Sequence, residues 1–176
     1  VELKVMGEVR AVGSKEPLSP TELQLAVYLA FHRHGVNADT LATMVWPDGC
    51  AKRTVTNTMG SLRRRLGPGP DDKPLYPLAR ETHYRHRLSS RVVTDWDRFA
   101  ALAKRAKHLP DDEALPLLDK ALELVDGPPF QSNVGYSWAY NDGTAALIAE
   151  TVKAVGKRSA GIHSSLGSPA LALAGC

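Results

Sequence analysis

The chain has 176 residues, 43% of them hydrophobic and 23% charged, with a formal net charge of +3. That balance suits a soluble globular protein of one ordinary domain or two small ones, and disorder is not its default reading. No run of about 18 apolar residues occurs and the N-terminus lacks a signal-peptide succession, so a cytoplasmic protein, or a cytoplasm-facing domain of a larger one, is expected. A start at Val1, directly on a strand-like pattern, suggests a domain cut from something longer. Cys50 and Cys176 stand far apart without ligand spacing around them, so two reduced thiols are expected, with no metal site, disulfide or cofactor. Charge is unevenly spread: up to Leu88 there are 13 Lys and Arg against 9 Asp and Glu, and beyond it 9 against 10. An anionic partner is therefore expected on the first half and a different one on the second.

In "VELKVMGEVRAVG" the residues Leu3, Val5, Gly7, Val9 and Ala11 alternate with charged ones, the period of a half-buried strand or hairpin bent at Gly7. Ser19, Pro20 and Glu22 then supply an N-cap, a first-turn proline and the second half of a capping box. The helix they start should bury Leu23, Ala26, Val27, Ala30 and Phe31 and end before Gly35. A short second helix in "VNADTLATMVWPD" must stop near Trp46, because Pro47 disfavours helical geometry before it. A third runs from about Lys52 to Leu66 and is broken by "GPGP". Three helices with tight connections, the second short and the third basic, outline a helix-turn-helix.

Beyond "GPGPDDKP", the segments "LYPLA" and "HYRHRL" flank "RET" and predict a β-hairpin wing over residues 75–88. From Asp95 the period turns helical. Phe99, Leu102, Ala103 and Ala106 mark one helix, and Ala114, Leu117, Leu118, Ala121, Leu122 and Val125 its antiparallel partner, read as core and scaffold rather than as a ligand pocket. "DGPPF" ends that pair. A longer helix is predicted from Trp138 or Gly143 to Lys157, and the small-residue tail after it is read as one more short helix or as disorder. Trp96, Phe99, Phe130 and Trp138 are expected to join two domains or complete the helical core. His32 and His34, near the end of the first helix, are read as structural.

The third helix carries five basic residues and no acidic one between Lys52 and Arg65. At about 100° per residue, Val55, Met59, Leu62 and Leu66 fall within about 60° of one another and define the core side. The opposite side is centred on Arg53, Asn57, Gly60 and Arg64, with Ser61 beside them. Arg63 and Arg65 lie on opposite flanks with Thr56 and Thr58, so the run "RRR" points in three directions. Asn and Arg can pair with adenine and guanine edges, and flanking Arg and Thr can hold phosphates. Arg53, Asn57, Ser61 and Arg64 are thus the base-facing candidates. Lys52, Thr56, Arg63, Arg65, Arg80, Arg85 and Arg87 are the backbone or wing candidates for double-stranded DNA. Gly60 costs about 1 kcal/mol relative to Ala in mid-helix, which close approach of a partner or of a neighbouring helix would justify. The bland alternative is a solvated helix face and a hairpin edge made soluble by arginine.

The words "VYLAFHRHGVNADTLATMVWPD", "TVTNTMGSLRRRLG", "VTDWDRF" and "ALELVDGPPF", in this order, resemble the Streptomyces antibiotic regulatory protein family. The resemblance covers about residues 3 to 140 and implies an OmpR-type winged helix followed by a bacterial transcriptional activator domain of tetratricopeptide-like helices. The fold class it implies is mainly α with a small β component: a winged helix-turn-helix over 1–90 and a short, truncated activator domain over 91–176. It further implies promoter binding at direct repeats, contact with RNA polymerase and activation of transcription; a homodimer is a further expectation. The chain departs from the family pattern at "THYRHRL", where His83 stands in place of a glycine, and in the shortness of its helical half. The competing expectation is a protein-interaction module at the end of a larger, membrane-anchored protein, with promoter binding lost. No nucleophile elbow, phosphate-binding loop or HExxH motif is present, so no enzymatic activity is expected.

Overall fold

The computed structural model describes residues 1–131 and 135–167. It is mainly helical, with a small three-stranded sheet. Strands β1 (Glu2–Lys4) and β2 (Arg10–Val12) pair antiparallel, with Leu3 opposite Ala11. The bend between them is at Gly7, whose φ of 147° favours glycine and where an added Cβ would stand 2.8 Å from Cβ of Asp126. The sheet gains a third strand that the sequence reading did not foresee. β3 (Val93–Thr94) lies parallel to β1, with Leu3 opposite Thr94, giving the order β2-β1-β3.

Helix α1 (Pro20–Phe31) starts at the expected capping box: Glu22 N donates to Ser19 Oγ at 3.4 Å and Ser19 N to Glu22 Oε2 at 2.7 Å. Its burial is wider than a single stripe, for Leu25, Tyr28 and Leu29 are buried as well as Ala26, Val27 and Ala30, while Leu23 and Phe31 are half-buried. The cause is its central position. One side packs on α3, and the other meets aromatic rings from the second half: Phe31 lies 5.7 Å from Phe130, and Tyr28 is 5.1 Å from Trp138, edge to face. His32 completes this cluster, stacked 4.0 Å from Tyr28 with Nδ1 2.8 Å from the Tyr28 carbonyl, the structural role expected of it. Helix α2 (Ala38–Val45) is capped by Asn37, which accepts from Thr40 N at 2.7 Å, and stops at Trp46 before Pro47. Helix α3 (Lys52–Leu66) buries Val55, Met59, Leu62 and Leu66 and ends at Gly67.

The segment expected to form a wing does not form a hairpin. Residues Ala79–Thr82 make a turn of 3-10 helix instead, followed by His83 and Tyr84 in the left-handed region at φ 54° and 58°. Local chemistry favours this. Pro77 cannot donate to a strand ladder, Glu81 accepts from Leu78 N at 3.2 Å, and Thr82 Oγ1 bonds back to the carbonyls of Ala79 and Arg85. The only pairing there among the described residues is an isolated antiparallel bridge between His86 and Val36, with another between Pro68 and Pro74 upstream.

The second half packs directly on this unit. Helix α4 (Asp95–Ala106) is capped by Thr94, and a four-residue connection turns the chain into α5 (Asp111–Leu122), packed along it. A short α6 (Ser137–Asn141) precedes α7 (Thr144–Gly167), which packs on α5. Helix α7 continues ten residues past the end expected at Lys157. Ile162 is buried, and Ser159 donates to Asp119 Oδ1 at 2.6 Å, which extends the helix's core-facing side past that point. The rest of the small-residue tail, with Cys176, lies outside the described residues.

A buried carboxylate stitches the halves together. Asp95 is 1% exposed, and its oxygens accept from Val5 N at 2.9 Å, Met6 N at 3.2 Å and Trp96 N at 2.9 Å. Burial raises its carboxyl above the ordinary range, against the opposing pull of those amides. Close by, the loop after α5 bonds to the same bend: Asp126 N donates to Met6 O at 2.8 Å, Phe130 N to Val5 O at 2.8 Å and Gln131 N to Gly7 O at 3.0 Å.

Candidate nucleic-acid interface

The core stripe of α3 turns the opposite side of the helix outward. Arg53, Asn57 and Arg64 are exposed along it, and none makes a hydrogen bond or ion pair among the described residues. Between them sits Gly60, where an added Cβ would meet nothing within 4 Å. A neighbouring helix is thus not the reason its cost is tolerated.

The other candidates divide sharply. Arg63, on one flank, donates from Nε to the Tyr76 carbonyl at 2.8 Å and from Nη2 to that of Pro77 at 3.3 Å, with its guanidinium 4.8 Å from the Tyr76 ring centre. Arg65, on the other flank, donates to the Pro17 carbonyl and pairs with Glu22 at 3.4 Å. Burial alone would raise the Glu22 carboxyl, but the Ser61 hydroxyl, the Ser19 amide and Arg65 together hold it below the usual range. Ser61, half-buried, is thus one of the groups that act on this carboxylate of α1. Arg85 is spent on the loop after α1, donating to the carbonyls of His34 at 3.2 Å and Gly35 at 2.6 Å. The Thr56 hydroxyl turns back to the Lys52 carbonyl at 3.1 Å. Lys52, Arg80 and Arg87 are exposed, without a hydrogen bond or ion pair among the described residues.

Behind Arg63 the segment after α3 is held firmly. Tyr76 is fully buried, and its hydroxyl lies 2.8 Å from His86 Nδ1. Burial, reinforced by Arg63, lowers the His86 pKa, while burial raises that of Tyr76, so both groups are pushed toward their uncharged forms. Arg63 therefore braces α3 against this segment.

One cation escaped the sequence reading. Lys15, in the loop between β2 and α1, lies against Gly67 and shares with Arg64 a groove at the end of α3. The loop is fixed there by Glu16 N donating to the Arg65 carbonyl at 3.0 Å. No periodicity announces a contact between positions so far apart in sequence.

Among the described residues, no group of three or more His, Cys, Asp or Glu side chains could hold a metal ion, and no helix is long and apolar enough to cross a membrane. No family model and no curated protein matches the chain. Among solved structures it is similar to Mycobacterium tuberculosis EmbR in complex with low affinity phosphopeptide, with a TM-score of 0.73 and 20% identity over 94% of this chain. The match takes in 46% of the EmbR chain, so the protein spans less than half of that neighbour's length. At this identity the likeness is one of fold, a mainly helical protein with a small sheet.

Proposed function

We propose that the protein is a DNA-binding transcriptional regulator without enzymatic activity, and that α3 is its recognition helix. The observation that carries the reading is the outward ridge of Arg53, Asn57 and Arg64, unpartnered side chains set around a glycine that no part of the chain requires. In this reading residues 1–90 are a winged-helix-class unit, with a 3-10 turn where a hairpin wing would stand. Residues 91–176 belong to a tetratricopeptide-like activator domain, and the protein works in the cytoplasm. The sequence resemblance to antibiotic regulatory proteins and the fold likeness to EmbR support the same reading. RNA polymerase, which the resemblance implies, and a second copy of the chain are the further partners proposed.

Base reading falls to Arg53, Asn57 and Arg64, with Ser61 at the edge of the ridge. Lys52, Thr56, Arg80 and Arg87 are left as backbone contacts, and Lys15 joins them. The test is a fluorescence titration of duplex DNA across a salt series. Binding whose logarithm falls linearly with the logarithm of salt supports the reading, with a slope magnitude of about 0.9 per phosphate neutralised. Absence of salt-sensitive binding at low ionic strength overturns it. That result would favour a second reading, a protein-interaction module that has kept the fold without promoter binding, for which the absent hairpin at residues 75–88 already speaks.

A further inference from the structure

Between α4 and α7 runs an open groove of about 470 Å³, with a floor of Ala100, Ala103, Leu118, Ala154 and Val155 and with Trp96 at one side. None of its lining residues belongs to α1, α2 or α3, so it is separate from the basic ridge and independent of the DNA-binding reading. Its walls are set. Trp96 stacks on the fully buried Phe99 with ring centres 5.6 Å apart. Arg158 of α7 donates to the Ala106 carbonyl at 2.8 Å and the Leu109 carbonyl at 3.1 Å, fastening the far end of α4 to α7. The remaining charge on the rim is Lys104 and Lys107, both exposed and without an acidic partner among the described residues, and no Asp or Glu lines the groove.

Small alanines between larger neighbours leave room for side chains arriving from outside, and a long shallow trough between two helices suits residues spaced i, i+3/i+4, i+7 along an incoming helix. The two free lysines select its charge, because a cationic helix would meet like charges at the rim and an acidic one opposite charges. We infer that this groove docks an amphipathic helix of a partner protein, its apolar stripe in the trough beside Trp96 and its acidic flank against Lys104 and Lys107.

The experiment titrates the full 15N-labelled chain with a designed helical peptide of about five turns bearing a leucine stripe flanked by glutamates, and with the same peptide flanked by lysines. Expected are saturable shifts confined to residues 96–107, 118 and 151–158, with the lysine peptide about tenfold weaker, since two rim pairs change from attraction to repulsion. Lys104→Glu with Lys107→Glu, both surface changes, should invert that preference. Ala154→Trp should fill the trough and abolish both interactions, with thermal unfolding as the check on folding. Equal binding of the two peptides, no saturable shift at millimolar peptide, or shifts on α3 instead would overturn the inference. So would concentration-dependent shifts at these residues without peptide, which would assign the groove to a second copy of this chain.

Discussion

Asp95 and Arg64 are both charged residues of helices, and the chain treats them oppositely. Asp95 is 1% exposed and its carboxylate is claimed by backbone amides from two parts of the chain, whereas Arg64 stands in solvent with no partner among the described residues. The same division runs within the three consecutive arginines, where Arg63 and Arg65 are consumed by carbonyls and a carboxylate and only Arg64 is left over. A charge whose hydrogen bonds close inside the molecule holds structure together. One left open is available to something outside it, and this distinction cannot be made by counting basic residues along a helix.

Breaking the closed side should have the largest effect. Asp95→Ala leaves the amides of Val5, Met6 and Trp96 unsatisfied in a buried seam, and at about 1–3 kcal/mol for each such group a loss on the order of 3–5 kcal/mol is expected, read by urea denaturation. A loss under about 1 kcal/mol would mean that the seam is not what holds the two halves. On the open side, Arg53→Ala and Arg64→Ala should each cost about 1–3 kcal/mol of DNA affinity at one base position, with stability changed by no more than about 0.5 kcal/mol.

Arg63→Ala sharpens the contrast. It removes two charge-assisted hydrogen bonds and a cation–π contact, so stability should fall by about 1–3 kcal/mol while the salt slope of DNA binding stays as it was. Gly60→Ala should raise the stability of the free protein by up to about 1 kcal/mol and weaken DNA binding, because the methyl group meets nothing until a partner arrives. Unchanged or improved affinity would show that no surface approaches the helix there.

A smaller change, graded by pH, is expected at Glu22. Its folded-state pKa is depressed, so its contribution is present above the unfolded value, about 4.3, and is lost as pH falls through the folded one. The stability difference between the wild type and Glu22→Gln should therefore shrink between about pH 6 and pH 3, and a difference that grew on acidification would reverse the sign assigned here.

Where periodicity and capping decide structure, the sequence was legible. Ser19 and Glu22 start α1, Trp46 and Pro47 stop α2, and Val55, Met59, Leu62 and Leu66 face the core of α3. Phe130 and Trp138 join the halves, as their aromatic character suggested. The β-prone wing was misread because Pro77, Glu81 and Thr82 act through local side-chain bonds that a two-residue period does not register. β3 is only two residues long, too short for any alternation to show, though its β-branched run "VVT" before Asp95 was a faint signal. Angles around α3 set the three arginines in different directions, but which flanks were already occupied depended on Tyr76, Pro77, Pro17 and Glu22, whose positions no helical wheel contains.

The most direct test of the account compares Arg64→Ala with Arg63→Ala in one salt-series titration against duplex DNA, with urea denaturation of both proteins alongside. The account predicts that Arg64→Ala loses affinity and keeps its stability, and that Arg63→Ala loses stability and keeps its affinity and salt slope. Equal loss of affinity in both, or none in either, would contradict it.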